Sequence, residues 1–142
     1  MSILSNNITM LVTLLVIACI ALGFIGYDKF ASNKNGADVS YTDVSVHEAK
    51  DMLDKGDVFL LDVRTESEFN SGYLEGAVNI EVSQLGSRLD EVPADKVILV
   101  YCRTGVRSVR ASKTLVNAGY TDVYNMKGGI RVWMSAVYPY VI

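Results

Sequence analysis

The feature that most restricts the fold of this 142-residue chain is an uncharged apolar stretch near its start. From Ile8 to Tyr27 the sequence reads ITMLVTLLVIACIALGFIGY and contains no Asp, Glu, Lys or Arg. A helix of this length extends about 30 Å, which is the thickness of the hydrocarbon core of a bilayer. We therefore predict a transmembrane helix over residues 8–27, and this segment is then not part of any globular core.

Two processed forms of the apolar segment are alternatives to an uncleaved anchor. A secretory signal has a basic start and small residues after its apolar part. Here the first seven residues contain no Lys or Arg, and Ala18 and Ala21 lie inside the apolar run. A lipoprotein-like VIAC sequence ends at Cys19, but more apolar residues follow it where a polar tether is expected. We favour the uncleaved anchor.

The distribution of charge predicts which side of the membrane the rest of the chain occupies. Every charged residue lies from Asp28 onward, so the net charge of -3 belongs to the part after the apolar segment. Lys29 and Lys34 follow that segment and no basic residue precedes it. By the positive-inside bias we predict a single-pass membrane protein whose soluble domain is cytosolic. An acidic balance also argues against nucleic acid as a partner.

The remaining chain divides into a linker and one domain. Residues 28–38 (DKFASNKNGAD) are rich in Asn, Gly and Ser and show no apolar periodicity, as is typical of a tether. We assign the domain to residues 39–142, because about 100 residues are enough to bury a core.

Continuous apolar runs alternate with helical patterns in this domain. Runs over Val58–Val63 (VFLLDV) and Val97–Tyr101 (VILVY) are typical of strands buried on both faces of a parallel sheet. A shorter strand is predicted over Asp122–Met126, and helical patterns occupy residues 47–56, 108–120 and 128–136. The sequence thus predicts an α/β domain with a central, mainly parallel sheet flanked by helices.

The sequence YCRTGVRS, Tyr101 to Ser108, places a cysteine directly after one of these strands and before a helix. Open α/β sheets bind ligands at this end of their strands. The backbone amides after Cys102 can curl inward, with Gly105 supplying the dihedral angles that a curl needs. These amides, the helix N-terminus and the nearby arginines all favour a negative charge. We predict a thiolate inside an anion-binding loop.

The spacing within the loop separates this prediction from its alternatives. A lone cysteine is most often a buried structural thiol. Cysteine-type phosphatases have a similar layout, but their loop holds one residue more than the four that separate Cys102 from Arg107. The shorter loop fits an additional sulfur on the cysteine better than a phosphoryl group, which disfavours a phosphatase or an arsenate reductase. His47 is the only histidine, so no metal site is predicted.

Several longer segments carry a resemblance to a known family. They are LLDVRTESEF (60–69), GYLEGAVNI (72–80), YCRTGVRS (101–108), AGYTDVYNMKGGI (118–130) and Trp133. In this order they resemble a single-domain rhodanese, a thiosulfate or persulfide sulfurtransferase, over nearly all of the soluble part. Tyr73 stands where the family commonly has histidine. We expect this departure to alter packing beneath the site and to leave activity intact.

The resemblance implies two-step covalent sulfur transfer with no metal or organic cofactor. Cys102 is then the nucleophile, which takes sulfur from a small anionic donor such as thiosulfate and carries it as a persulfide. A thiol acceptor, which can be a protein thiol, or cyanide in an assay, removes that sulfur. The predicted substrate-binding residues are those of the loop: Arg103, Thr104, Gly105, Val106 and Arg107. One of the two arginines can instead point back into the fold and brace the loop.

Asp62 and Arg64 are predicted supporting residues, because they follow a strand expected to lie beside the one that ends at Cys102. Asp62 either orients the loop by hydrogen bonding or belongs to a structural ion pair. Arg64 is expected to pair with Glu68 or another nearby carboxylate. The alternative to an enzyme is a non-catalytic rhodanese-like module that binds or senses an anion at the membrane. The intact cysteine and complete loop favour the enzyme.

Overall fold

A computed structural model describes residues 40–142 of the chain. The strands are β1 (Thr42–Val44), β2 (Val58–Asp62), β3 (Val78–Asn79), β4 (Val97–Tyr101) and β5 (Val123–Met126). The helices of this part are α1 (Val46–Lys55), α2 (Glu66–Asn70), α3 (Val106–Asn117) and α4 (Gly129–Ser135), and two short 3-10 turns, Leu85–Ser87 and Leu89–Glu91, precede β4. The strands form one sheet in the order β1-β5-β4-β2-β3, and every pair of neighbours is parallel.

Both faces of the central strands are buried, as the continuous apolar runs predict. Successive side chains of a strand point to opposite faces, so a strand covered on both sides must be apolar at every position. In β4, Ile98 and Val100 belong to one apolar cluster together with Leu115 of α3. Leu99, between them, belongs to a second cluster together with Ala49 of α1 and Trp133 of α4. Helices therefore cover the sheet from both sides.

The long elements agree with the sequence predictions, and the short ones were missed. The predicted strands correspond to β2, β4 and β5, and the three predicted helices correspond to α1, α3 and α4. α1 ends at Gly56 as predicted, and a capping box between Ser45 and Glu48 begins it. β1, β3 and α2 have only 3, 2 and 5 residues, which is too short for a periodic pattern to develop.

Part of the predicted organisation lies outside the described residues. This applies to the transmembrane helix at 8–27, to the linker at 28–38 and to the first residue of the predicted domain, residue 39. Between residues 40 and 142, no helix has the length and apolar character that crossing a membrane requires.

The start of α4 packs directly against the segment that follows β4. The backbone N–H of Ile130 donates to the carbonyl oxygen of Cys102 at 2.9 Å, and that of Arg131 donates to the carbonyl oxygen of Arg103 at 3.1 Å. This close approach requires glycine at position 129. A Cβ there would lie 2.3 Å from the Cys102 carbonyl oxygen, and the φ of Gly129 is +59°. α4 thereby fixes the backbone of the Cys102 loop.

We expect Gly129→Ala to destabilise the fold and to disturb the Cys102 loop. The positive φ alone costs a non-glycine residue about 1–3 kcal/mol, and the contact with a backbone oxygen adds to that cost. The matched control is Gly86→Ala, because Gly86 has no atom within 4 Å of its added Cβ and no positive φ. Thermal unfolding of the two variants checks this. Equal melting temperatures for Gly129→Ala and Gly86→Ala would contradict the docking described above.

Candidate active site

Cys102 lies at the base of a short loop between β4 and α3. Its side chain is almost fully buried, with 1% exposed. The N–H of Gly105 donates to the Cys102 Sγ at 3.1 Å, and Gly105 reaches this position through a left-handed φ of 101°. α3 begins at the next residue, Val106, so the free amides of its first turn face the loop. The predicted curl of amides around the cysteine is present.

The surroundings of Cys102 favour the thiolate. Burial raises the pKa of the thiol, but hydrogen bonds to the sulfur from the side chain and backbone of Ser108 and from the backbone N–H groups of Thr104 and Gly105 outweigh it. The net pKa lies below the ordinary value of a cysteine. Ser108 is fully buried, and its hydroxyl also lies 3.0 Å from the Gly105 carbonyl oxygen. The one hydroxyl proton can therefore be donated either to that carbonyl or to the sulfur.

Arg107 braces the loop through an ion pair with Glu68 of α2. Its two terminal nitrogens donate to the two carboxylate oxygens at 2.6 and 2.7 Å, which is a bidentate contact. Hydrogen bonds from Arg107, followed by those from Thr65, lower the pKa of Glu68 to about 2. The charge of Arg107 is therefore compensated within the protein. Of the two roles left open for the loop arginines, bracing belongs to Arg107.

Asp62 and Arg64 form a buried ion pair at the end of β2. The guanidinium donates to both carboxylate oxygens, and the backbone N–H of Arg64 adds a bond of 2.9 Å to Asp62. Arg64 also donates to the carbonyl oxygens of Gly72 and Glu68, at 2.8 and 3.2 Å. Burial lowers the pKa of Arg64, but contact with Asp62 more than reverses this. These contacts fit the structural ion pair. In residues 40–142, no hydrogen bond joins the Asp62 carboxylate to the loop at 102–107.

The other predicted loop residues face outward. The side chains of Arg103 and Thr104 are exposed, and that of Val106 is 77% exposed. Arg103 lines a groove of about 370 Å³ beside the loop, together with residues of α2 and α4. Only the backbone of Thr104 faces the sulfur. The loop thus presents amides to its interior and one exposed arginine to the groove.

Tyr73, the departure from the family pattern, lies against α2. Its ring stacks on Phe69 with the two ring centroids 4.3 Å apart. Its backbone pairs with Val141, with N–H to oxygen distances of 2.9 and 2.7 Å. Tyr73 therefore packs on the helix that carries Glu68.

Two residues of the site were missed by the sequence analysis, although each had a signal. Glu68 was expected only as a partner of Arg64, yet its carboxylate binds Arg107. The sequence from Thr65 to Glu68 forms a capping box, which fixes the carboxylate at the start of α2. Ser108 belongs to the buried face of α3, with Ser112 and Leu115. A serine on a buried helix face needs a hydrogen-bond partner, so the position of Ser108 on that face was the signal in the sequence.

The pH dependence of Cys102 alkylation tests the anion-stabilising loop. Because only the thiolate reacts, we expect the rate to rise with pH around a midpoint below that of an ordinary cysteine. Ser108→Ala removes one hydrogen bond to the thiolate, so its midpoint should move to higher pH. The measurement is iodoacetamide labelling of the peptide containing Cys102, followed by mass spectrometry. Ser83→Ala is the control, because Ser83 is exposed and lies outside the Cys102 loop and α3. An ordinary midpoint in the wild type would contradict the stabilisation.

Comparisons with known proteins show what this chain is similar to in sequence. The family described as Rhodanese-like domain matches residues 45–136, which is more than half of the chain. An uncharacterized protein of Bacillus subtilis, YqhL, is 47% identical over 74 residues, which are 52% of this chain and 59% of that protein's length. The thiosulfate sulfurtransferase GlpE of Shewanella oneidensis is 30% identical over 68% of this chain and 96% of its own.

The fold also has counterparts among solved structures. A rhodanese-related protein from Thermoplasma volcanium superposes with a TM-score of 0.65 and 29% sequence identity. The match covers 71% of this chain and 98% of that one. The α/β fold with its parallel sheet and flanking helices is therefore confirmed for residues 40–142.

Proposed function

We propose that this chain, which belongs to the family of rhodanese-like domains, is a sulfurtransferase that uses Cys102 as its nucleophile. The observation that carries the proposal is the curl of backbone amides around a cysteine whose pKa lies below the ordinary value. Relatives that carry the name sulfurtransferase add support. The proposed donor is thiosulfate or a persulfide, and the proposed acceptor is a thiol, with cyanide as an assay substitute.

In the first step, the Cys102 thiolate attacks the outer sulfur of thiosulfate. A bond forms between the two sulfurs, the sulfur–sulfur bond of thiosulfate breaks, and sulfite leaves with the electron pair. The charges balance, because one thiolate and one dianion become one persulfide anion and one dianion. In this proposal, the backbone amides that face Sγ also stabilise the charge of the outer sulfur.

In the second step, an acceptor thiolate attacks the outer sulfur of the persulfide. The bond between that sulfur and Sγ breaks, and its electron pair returns to Cys102 as the thiolate. The same hydrogen bonds that lower the thiol pKa stabilise this leaving group. Because Cys102 is nearly buried, we expect that only the reacting sulfur atom of a donor or acceptor reaches its Sγ.

Mass spectrometry of the intact protein tests the proposed function. After incubation of the full chain with thiosulfate, we expect the mass of one added sulfur atom, and cyanide should remove it. Cys102→Ser should gain no sulfur, and Cys19→Ser should gain it as the wild type does. Absence of the adduct in the wild type, or an equal adduct in Cys102→Ser, would rule out a Cys102 persulfide. The protein would then be better described as a non-catalytic binding module.

We further propose that residues 8–27 anchor the protein in a membrane with the domain on the cytosolic side. The length of the uncharged run and the two lysines after it support this. We expect the chain to stay with the membrane after an alkaline carbonate wash. Protease added to vesicles should digest the domain only when their cytosolic face is exposed. Release by the wash, or protection when that face is open, would count against the anchor or its orientation.

A further inference from the structure

A groove beside the Cys102 loop carries positive charge that no acidic residue between positions 40 and 142 compensates. It has a volume of about 370 Å³ and lies between α2, the loop and α4. Arg103 contributes a guanidinium from the loop, and Arg131 contributes one from α4. The hydrogen bond from the Arg131 backbone to the Arg103 carbonyl oxygen holds the two residues side by side. Two elements thus bring two cations to one groove.

Neither arginine has an acidic partner among residues 40–142. The ion pairs of this part of the chain include neither Arg103 nor Arg131. Glu68 is the one acidic residue that lines the groove, and its carboxylate already pairs with Arg107. Two guanidinium groups that line one groove without an acidic partner in residues 40–142 leave net positive charge there, so the groove favours an anionic ligand.

The groove lies beside the start of the Cys102 loop. Arg103, which follows Cys102 in the sequence, lines the groove directly. Arg107, at the far end, contacts Glu68 in the groove wall. A ligand in the groove therefore lies next to the loop that holds the sulfur.

The size and lining of the groove favour an organic ligand over an inorganic one. Its volume falls in the range of about 300–1,000 Å³ that is typical of small-molecule sites. Ile130, Met134 and Tyr140 also line the groove and give it apolar surface, and 43% of Met134 and 37% of Tyr140 are exposed. Thiosulfate has no carbon to cover this surface and would fill only a fraction of the space.

We propose that this groove, the Arg103–Arg131 groove, binds the acceptor of the reaction, and that the acceptor is a small organic thiol bearing carboxylate groups. The carboxylates pair with Arg103 and Arg131, and the carbon skeleton packs on Met134 and Tyr140. This proposal rests on the proposed function and specifies its acceptor. The thiolate takes the outer sulfur of the Cys102 persulfide, and the Cys102–sulfur bond breaks to regenerate the thiolate.

Equilibrium binding tests the groove without any chemical step. The probe is S-methylglutathione, which has two carboxylates and no reactive thiol, titrated calorimetrically into the full chain in mild detergent. We expect saturable binding that weakens about tenfold in Arg131→Gln, since one charge-assisted contact is lost. Arg110→Gln is the matched control, because Arg110 is exposed on α3 and does not line the groove. A diester of the probe, which lacks the carboxylate charges, should bind the wild type more weakly.

Kinetics then tests whether the same groove serves the transfer step. With the persulfide preloaded, we compare kcat/KM for glutathione with kcat/KM for 2-mercaptoethanol, a thiol without carboxylates. The ratio should fall about tenfold in Arg131→Gln and stay at the wild-type value in Arg110→Gln. Loading by thiosulfate is measured in parallel. If Arg131→Gln slows loading as much as it slows transfer to glutathione, the groove attracts anionic donors and acceptors alike, and the acceptor proposal is wrong.

The outcomes separate this proposal from the proposed function. Failure of the wild type to form a persulfide would overturn the sulfurtransferase function, and with it an acceptor role for the groove. Persulfide formation without saturable S-methylglutathione binding, or with equal binding by Arg131→Gln, would overturn only the acceptor proposal. In that case a protein thiol becomes the leading acceptor.

Discussion

Two hydrogen bonds from α4 determine the geometry of the site, because they end on the carbonyl oxygens of Cys102 and Arg103. In a trans peptide the C=O and N–H groups point in opposite directions. With the Arg103 carbonyl held against α4, the N–H of Thr104 points away from α4, and it is one of the groups that lower the pKa of Cys102. The glycine at position 129 allows α4 to approach this closely. The chemistry of the cysteine thus depends on packing across the carboxyl edge of the sheet.

The arginines around the site have different roles because their partners differ. Arg64 is committed to Asp62 in a buried pair, and Arg107 is committed to Glu68 at the loop. Both therefore hold backbone segments in place and add little net positive charge. Arg103 and Arg131 lack such partners in the described part of the chain, so the available positive charge lies on the groove side of the loop. Arg64 and Arg107 thus hold the surroundings of the loop through their ion pairs, and Arg103 and Arg131 are the two cations left for a ligand in the described part of the chain.

The sequence was sufficient for the long elements and for the position of Cys102 at the sheet edge, but not for contacts between distant residues. β2 and β4 are apolar at nearly every position, which is a strong signal for strands buried on both faces. Cys102 follows one of them directly, so its place at the sheet edge could be predicted. The pair between Glu68 and Arg107 joins positions 39 residues apart, and it depends on how α2 packs against the loop. The proximity of Arg103 to Arg131 likewise follows from the docking of α4, which no local pattern records.

The central claim is that Cys102 removes the outer sulfur of a donor while the rest of the donor leaves. Thiosulfate carrying a radioactive label in either its outer or its inner sulfur tests this claim most directly. We predict that the wild-type chain retains the outer label and that the Cys102→Ser variant does not acquire it. The inner label should leave the wild type quantitatively as sulfite. Retention of both labels in equal amounts would indicate bound thiosulfate without bond cleavage, and that result would contradict the mechanism.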